Sequence, residues 1–141
     1  LLKLVDEDTK AFNKIMEAFS LSKVNEEEKK KRNQAIQIAT KYAIDIPFQV
    51  MQLAYQSMEV IEAMAKTGNP NSVSDAGVGA LCARAAVRGA FLNVKINSAS
   101  YKDKEFVKEI LQKGAEIEKA AELKEEETLK IVNQKIGENP Q

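Results

Sequence analysis

The chain has 141 residues, 44% of them hydrophobic and 30% charged, a length and mixture that suit one folded globular domain. Its 21 basic and 21 acidic residues cancel, so no basic excess exists to hold phosphates, which argues against nucleic acid as a partner. Histidine is absent, which removes imidazole acid–base chemistry, Ser-His-Asp and Cys-His triads, and histidine-ligated metals such as the di-iron centre of ferritin-like bundles; no metal site is expected.

Apolar residues recur at helical spacing almost throughout, and no strand alternation interrupts them. The first helix runs to about Phe19, with Leu1, Val5, Phe12, Ile15 and Phe19 on one face. Leu1 already lies on that stripe, so the helix is expected to begin upstream and the domain to lack its N-terminal segment. A second helix is expected to start at Asn25, an N-cap with Glu28 as its capping-box partner, and to bury Ala35, Ala39, Tyr42, Ala43 and Ile46. Pro47 cannot donate to a helical ladder and predicts a kink or a new first turn. A third helix then carries Val50, Met51, Ala54, Met58, Ile61 and Met64, and stops at Lys66 and Gly68.

Gly68 to Ser74 is the richest turn region. Beyond it a helix from about Ser74 to Asn97 carries small residues on nearly every side: Gly77, Gly79, Ala80, Ala83, Ala85, Ala86, Gly89 and Ala90. A helix apolar all round is normally buried, so this one is expected at the centre, with Cys82 as a small core residue. The last helix is expected from about Asp103 to Ile136, burying Phe106, Ile110, Ile117, Ala121, Thr128 and Val132 beneath a solvated Lys/Glu face, with a frayed tail over Gly137–Gln141. The expected fold is therefore all-α, an up-and-down bundle of about five long helices around a buried small-residue helix, spanning residues 1–141 as one domain. No apolar run is long enough to span a membrane, and a lone cysteine suits a reducing cytosol; the expected location is cytoplasmic, without a membrane partner.

Polar residues at costly positions mark the candidate site. Asp8 falls between Val5 and Phe12, where a carboxylate needs a partner such as Arg32, a ligand, or water. Asp75 occupies the first turn of the glycine-rich helix, where Ser72 or Ser74 can cap; it either completes the helix terminus or stands at the mouth of a crevice. Asn93 and Asn97, one turn apart, either bridge helices or contact a ligand. Arg84 and Arg88 form another such pair, available to acids on a neighbouring subunit or to an anionic ligand tail.

Two stretches, Gly68-Asn69-Pro70-Asn71-Ser72-Val73-Ser74-Asp75 and Gly89-Ala90-Phe91-Leu92-Asn93-Val94-Lys95-Ile96-Asn97, resemble the signature of the formiminotransferase-cyclodeaminase family. Asp8-Thr9-Lys10-Ala11-Phe12, the charged run to Arg32 and Ala43-Ile44-Asp45-Ile46-Pro47 resemble it in the same order. The resemblance implies a cyclodeaminase-like domain that converts 5-formiminotetrahydrofolate to 5,10-methenyltetrahydrofolate and ammonia, or else a methenyltetrahydrofolate cyclohydrolase or a non-catalytic folate-binding helical protein. It implies a reduced folate as substrate with no bound cofactor, and a homodimer or higher homo-oligomer. On that reading Asp75 is the acid–base carboxylate and Asp8 the second catalytic carboxylate. Ser72, Ser74, Asn93 and Asn97 are then the substrate-binding residues.

Overall fold

The computed structural model describes residues 1–138. In chain order these form α1 (Leu2–Ser20), α2 (Glu26–Thr67), a single 3₁₀ turn (Pro70–Ser72), α3 (Val73–Ser98) and α4 (Lys104–Glu138), with no strand among the described residues. Gly137 and Glu138 are helical, and residues 139–141 of the tail expected to fray lie outside the described residues. At 42 residues, roughly 63 Å, α2 is the spine on which the other helices pack. Ala43 and Ile46 on α2 meet Ala11 of α1. Ile44, Met51, Ala54 and Met58 meet Val87, Phe91 and Val94 of α3 and Ile110 and Ala121 of α4. A third contact region joins Ala65, Val73 and Val132 at the end of the spine.

Among the described residues there are four long helices rather than five, because the chain does not break at Pro47. Pro47 has no N–H, so the Ala43 carbonyl one turn earlier receives no backbone donor from it. The Asn97 side chain supplies one instead: its Nδ2 donates to the Ala43 carbonyl at 2.7 Å. A carbonyl satisfied from outside the ladder lets α2 run through a buried proline.

The caps follow local chemistry. Asn25 Oδ1 accepts the Glu28 N–H at 2.8 Å. The Glu28 carboxylate reaches past Asn25 to accept the Val24 N–H at 3.0 Å and the Ser22 hydroxyl, so the capping box is one residue wider than expected. Asp103 Oδ1 accepts the Phe106 N–H at 3.0 Å and opens α4. Along α4 the expected face is turned inward, with Ile110, Ala121, Thr128 and Val132 buried. Gly114 is required there, since a Cβ would run into the buried Phe91 ring.

Two faces differ from expectation. On α1 it is Leu4, Ala11, Ile15 and Ala18 that turn toward α2, while Leu1, Val5, Phe12 and Phe19 lie exposed. The helix carries two apolar stripes, and the one with small residues takes the inner position because it permits close packing. On α3, Gly77, Ala80, Ala83, Val87, Ala90 and Val94 are buried, but the opposite face is open, and Cys82 is exposed rather than in the core. Small residues allow neighbours on every side of a helix; α2 and α4 cover only one side of this one.

Candidate functional site

The junction between α2 and α3 is built around a close backbone approach. Gly68 donates its N–H to the Met64 carbonyl at 2.8 Å, and a Cβ on Gly68 would collide with that oxygen. Its φ of −72° is ordinary, so glycine is needed here for space and not for handedness. Asn69 Oδ1 then accepts the Asn71 N–H at 3.0 Å, and its carbonyl accepts the Ser72 N–H at 3.0 Å, closing the 3₁₀ turn. Ser72 holds the N-cap position of α3 without a side-chain capping bond.

This turn roofs a cavity of about 400 Å³ lined by Ile61, Met64, Gly68, Asn69, Ser72, Asp75, Ala76 and Gly79. The volume falls within the range of small-molecule sites, and the lining combines an apolar wall from α2 with a few polar groups from the turn. Asp75 stands in the first turn of α3, where free N–H groups and the helix dipole favour its charge. It is exposed and, among the described residues, makes no ion pair. Gly79, one turn on, keeps the wall low: the nearest atoms to a Cβ there would be those of the Ile61 side chain, at 3.6 Å. Ser74 is exposed and does not line the cavity.

The remaining candidates gather elsewhere. Asp8, Phe12 and Ile15 of α1, Ala43 of α2, and Asn93 and Asn97 of α3 line a second cavity of about 170 Å³. Asp8 is not paired with Arg32, whose guanidinium donates to the Phe19 carbonyl at 3.2 and 3.1 Å and closes the end of α1. Asp75 and Asn93 are separated along α3 by roughly 27 Å at 1.5 Å per residue. One chain therefore presents the candidate residues as two clusters, at opposite ends of one helix. Arg84 and Arg88 also depart from expectation: they face Glu125 at 3.6 Å and Glu118 at 3.5 Å on α4 of the same chain.

Several lining residues had weak signals or none. Ile61 and Met64 read as ordinary core positions, and only the fold brings them to the turn. Gly79 follows Asp75 by one helical turn, a spacing that was available. Glu62 bridges α2 to α4 by accepting from Lys124 Nζ at 2.7 Å and also accepts from Lys66 Nζ at 2.6 Å; these ammonium groups hold its carboxyl below the usual carboxylate range. Asp45 shifts the other way, its carboxyl pushed up by burial against the smaller opposing pull of Lys41. A larger depression of about 800 Å³ runs along the N-terminal half of α2 to Lys102, but Lys, Glu, Gln and Asn side chains line most of it, as on a solvated surface. Among the described residues no group of His, Cys, Asp and Glu could hold a metal ion, and no helix is long and apolar enough to cross a membrane.

Comparison with known proteins adds an independent line. The chain is 38% identical over 112 residues to a methenyltetrahydrofolate cyclohydrolase of Methylorubrum extorquens, covering 79% of this chain and 54% of that protein. It is 36% identical over 112 residues to the formimidoyltransferase-cyclodeaminase of Gallus gallus, covering 79% of this chain and 21% of that one. The chain thus spans about half the length of the first relative and about a fifth of the second. The crystal structure of a formiminotetrahydrofolate cyclodeaminase from Thermotoga maritima superposes with a TM-score of 0.80 at 27% identity, over 95% of this chain and 63% of that one. The sequence model of formiminotransferase-cyclodeaminase matches residues 1–116, which include both candidate clusters and the turn between α2 and α3. By sequence and by fold, the chain belongs to the formiminotransferase-cyclodeaminase family.

Proposed function

We propose that the protein is a folate-dependent one-carbon enzyme, a cyclodeaminase that converts 5-formiminotetrahydrofolate to 5,10-methenyltetrahydrofolate and ammonia. The observation that carries this reading is the Asp75 carboxylate at the edge of the 400 Å³ cavity in a chain of this family. In the reaction N10 of the folate attacks the amidine carbon, the bond from that carbon to the formimino nitrogen breaks, and the departing nitrogen gains a proton to leave as ammonia. A positioned carboxylate suffices for the proton transfer, and a shaped cavity supplies orientation and limits water; neither imidazole nor metal is required. Asp75 takes the acid–base role, Ser72 the nearby polar contact, and Ile61 and Met64 the apolar wall against the pterin. Asp8, Asn93 and Asn97 supply the second carboxylate and the orienting amides in a homo-oligomer acting in the cytosol.

A second reading is favoured by the 38% identity to a protein named methenyltetrahydrofolate cyclohydrolase. There water adds to the same bridging carbon and the five-membered ring opens. The two readings separate in one assay. Methenyl absorbance rising from the formimino substrate with release of ammonia supports the cyclodeaminase, whereas loss of methenyl absorbance without ammonia supports the cyclohydrolase. Absence of reduced-folate binding to the protein in calorimetry would remove both.

A further inference from the structure

We infer that Lys135, near the end of α4, is a positioning residue for Asp75: its ammonium ties down the last turn of α2 and so sets where the head of α3 stands. This rests on the reading of Asp75 as the acid–base group, and it names what holds that group in place.

The need comes from Asp75 itself. Among the described residues its carboxylate makes no ion pair, and Ser72, at the N-cap of α3, makes no side-chain capping bond. The bonds within Asn69–Val73 close the turn on itself. The distance from Asp75 to the Ile61 and Met64 wall therefore depends on what joins the end of α2 to the start of α3 from outside the turn.

The end of α4 supplies both anchors. The last carbonyls of a helix lack intrahelical donors, and α2 ends at Thr67. Lys135 Nζ donates to the Lys66 carbonyl at 2.6 Å, from 69 residues further along the chain. The helix dipole favours a cation there, and a bond from an ammonium is stronger than one between neutral groups. The Lys66 side chain is held as well, through Glu62, whose other carboxylate oxygen accepts from Lys124 of α4. Val132 packs with Ala65 before the turn and Val73 after it, in one buried cluster. A Cβ on Gly77 would meet Val132 at 3.3 Å, so α4 lies directly against the head of α3. Val132 and Lys135 are three residues apart, and one face of α4 thus grips both flanks of the turn. Apolar packing is non-directional, whereas the ammonium fixes α2 to α4 at one atom. Both residues lie after residue 116, where the match to the family's sequence model ends, so family membership assigns them no part in the site.

Amide hydrogen exchange tests the brace without any substrate. Lys135→Met keeps most of the apolar stem and removes the donor, whereas Lys135→Arg keeps a donor. In Lys135→Met the Gly68, Asn71 and Ser72 amides are expected to exchange about tenfold faster, with those at the centre of α2 unchanged. Lys135→Arg is expected to return them toward the wild-type rate. Lys104→Met is the control: it removes a 2.8 Å ammonium-to-carbonyl bond, to Tyr101, at the other end of α4, and is expected to leave the turn amides alone. Unchanged exchange in Lys135→Met overturns the brace, as does equal acceleration in Lys104→Met.

Turnover tests the positioning. Lys135→Met is expected to lower kcat about tenfold with KM within about twofold, since the cavity wall stays and the carboxylate shifts. In the Asp75→Asn background the same change is expected to cost nothing further, because the group it positions is gone, whereas a merely weakened fold lowers both backgrounds alike. Faster exchange with full kcat, or an equal loss in both backgrounds, overturns the positioning role. A wild-type protein inert toward both the formimino and the methenyl substrate removes the enzymatic reading, and the exchange rates then decide the brace alone.

Discussion

The Asn97 amide donates to the Ala43 carbonyl at 2.7 Å, the carbonyl that the ring of Pro47 leaves without its helical donor. A residue near the end of α3 thus repairs the ladder of α2, and it does so on the wall of the smaller cavity. The pairing makes the shape of that cavity depend on the proline. It also leaves Asn97 its Oδ1 to accept, and the second hydrogen of its Nδ2 to donate, a bond to a ligand.

Asn97→Ala is expected to cost about 1–3 kcal/mol, because a buried carbonyl loses its only side-chain donor. In the Pro47→Ala background residue 47 regains an N–H that reaches the same carbonyl, so most of the cost of Asn97→Ala disappears. Urea denaturation of the four proteins closes the cycle. Additivity to within about 0.5 kcal/mol would show that the two residues act independently.

Asp75→Asn preserves size and hydrogen-bonding capacity but removes the charge and the proton-transferring group. Turnover is expected to fall by about 10²–10⁴, the usual contribution of a positioned acid–base group, with the melting temperature nearly unchanged because the residue is exposed. Steady-state kinetics with the formimino and methenyl substrates reads this directly. Unaltered kcat on both would take Asp75 out of the chemistry and leave it as a helix-terminal acid.

The contrast between these residues shows what could be read from the chain alone. Helical periodicity located the ends of the four long helices to within a few residues, apart from the false break at Pro47, and Asn25 and Asp103 marked their helix starts by local chemistry alone. Pro47 misled because its repair comes from 50 residues away, beyond any local pattern. The α1 stripe misled because two apolar faces compete and only packing decides between them. Cys82 misled for a related reason: the composition of α3 announces close neighbours on all sides, but α2 and α4 cover only one side of it, and Cys82 lies exposed on the other. Asp75 was legible because it follows a turn-rich break and precedes glycines, whereas its cavity wall of Ile61 and Met64 carried no mark distinguishing it from core.

Gly114 is a tighter test of the packing between α3 and α4. A Cβ at this position would overlap three atoms of the Phe91 ring, two of them at 2.7 and 2.9 Å, and that ring is itself only 2% exposed. The ring has Ile110 and Ala121 in the same cluster, and the Lys95 ammonium 3.8 Å from its centroid. It cannot move without opening that cluster. Gly114→Ala is therefore expected to destabilise by about 1–3 kcal/mol despite the better helix propensity of alanine. The pair Gly114→Ala with Phe91→Leu, which shortens the obstructing side chain, is expected to be more stable than the sum of the single changes allows. Urea denaturation of the single variant decides the matter: stability equal to wild type would mean that α4 leaves room for a methyl group beside the ring.

Asp45 gives a pH dependence of definite sign. Burial on α2 disfavours its charged form and pushes its carboxyl above the ordinary carboxylate value, with Lys41 opposing less strongly. Between the unfolded and folded values the native state therefore binds more protons than the unfolded chain, and this group's contribution falls as pH rises through that interval. Below the ordinary carboxylate value both states are protonated and the penalty vanishes; above the folded value it is complete. Asp45→Asn removes the charge, so its melting temperature is expected to match wild type at the acid end and exceed it at neutral pH. Glu62 shifts in the opposite direction, held down by Lys124 and Lys66, and stabilises above the ordinary value but not on acidification. Glu62→Gln should accordingly lose stability at neutral pH and converge with wild type in acid. Calorimetric melting at stepped pH separates the two residues, because their difference curves against wild type have opposite signs. If Asp45→Asn melts below wild type at neutral pH, attraction to Lys41 outweighs burial, and Asp45 acts as an ion-pair partner on the surface of α2.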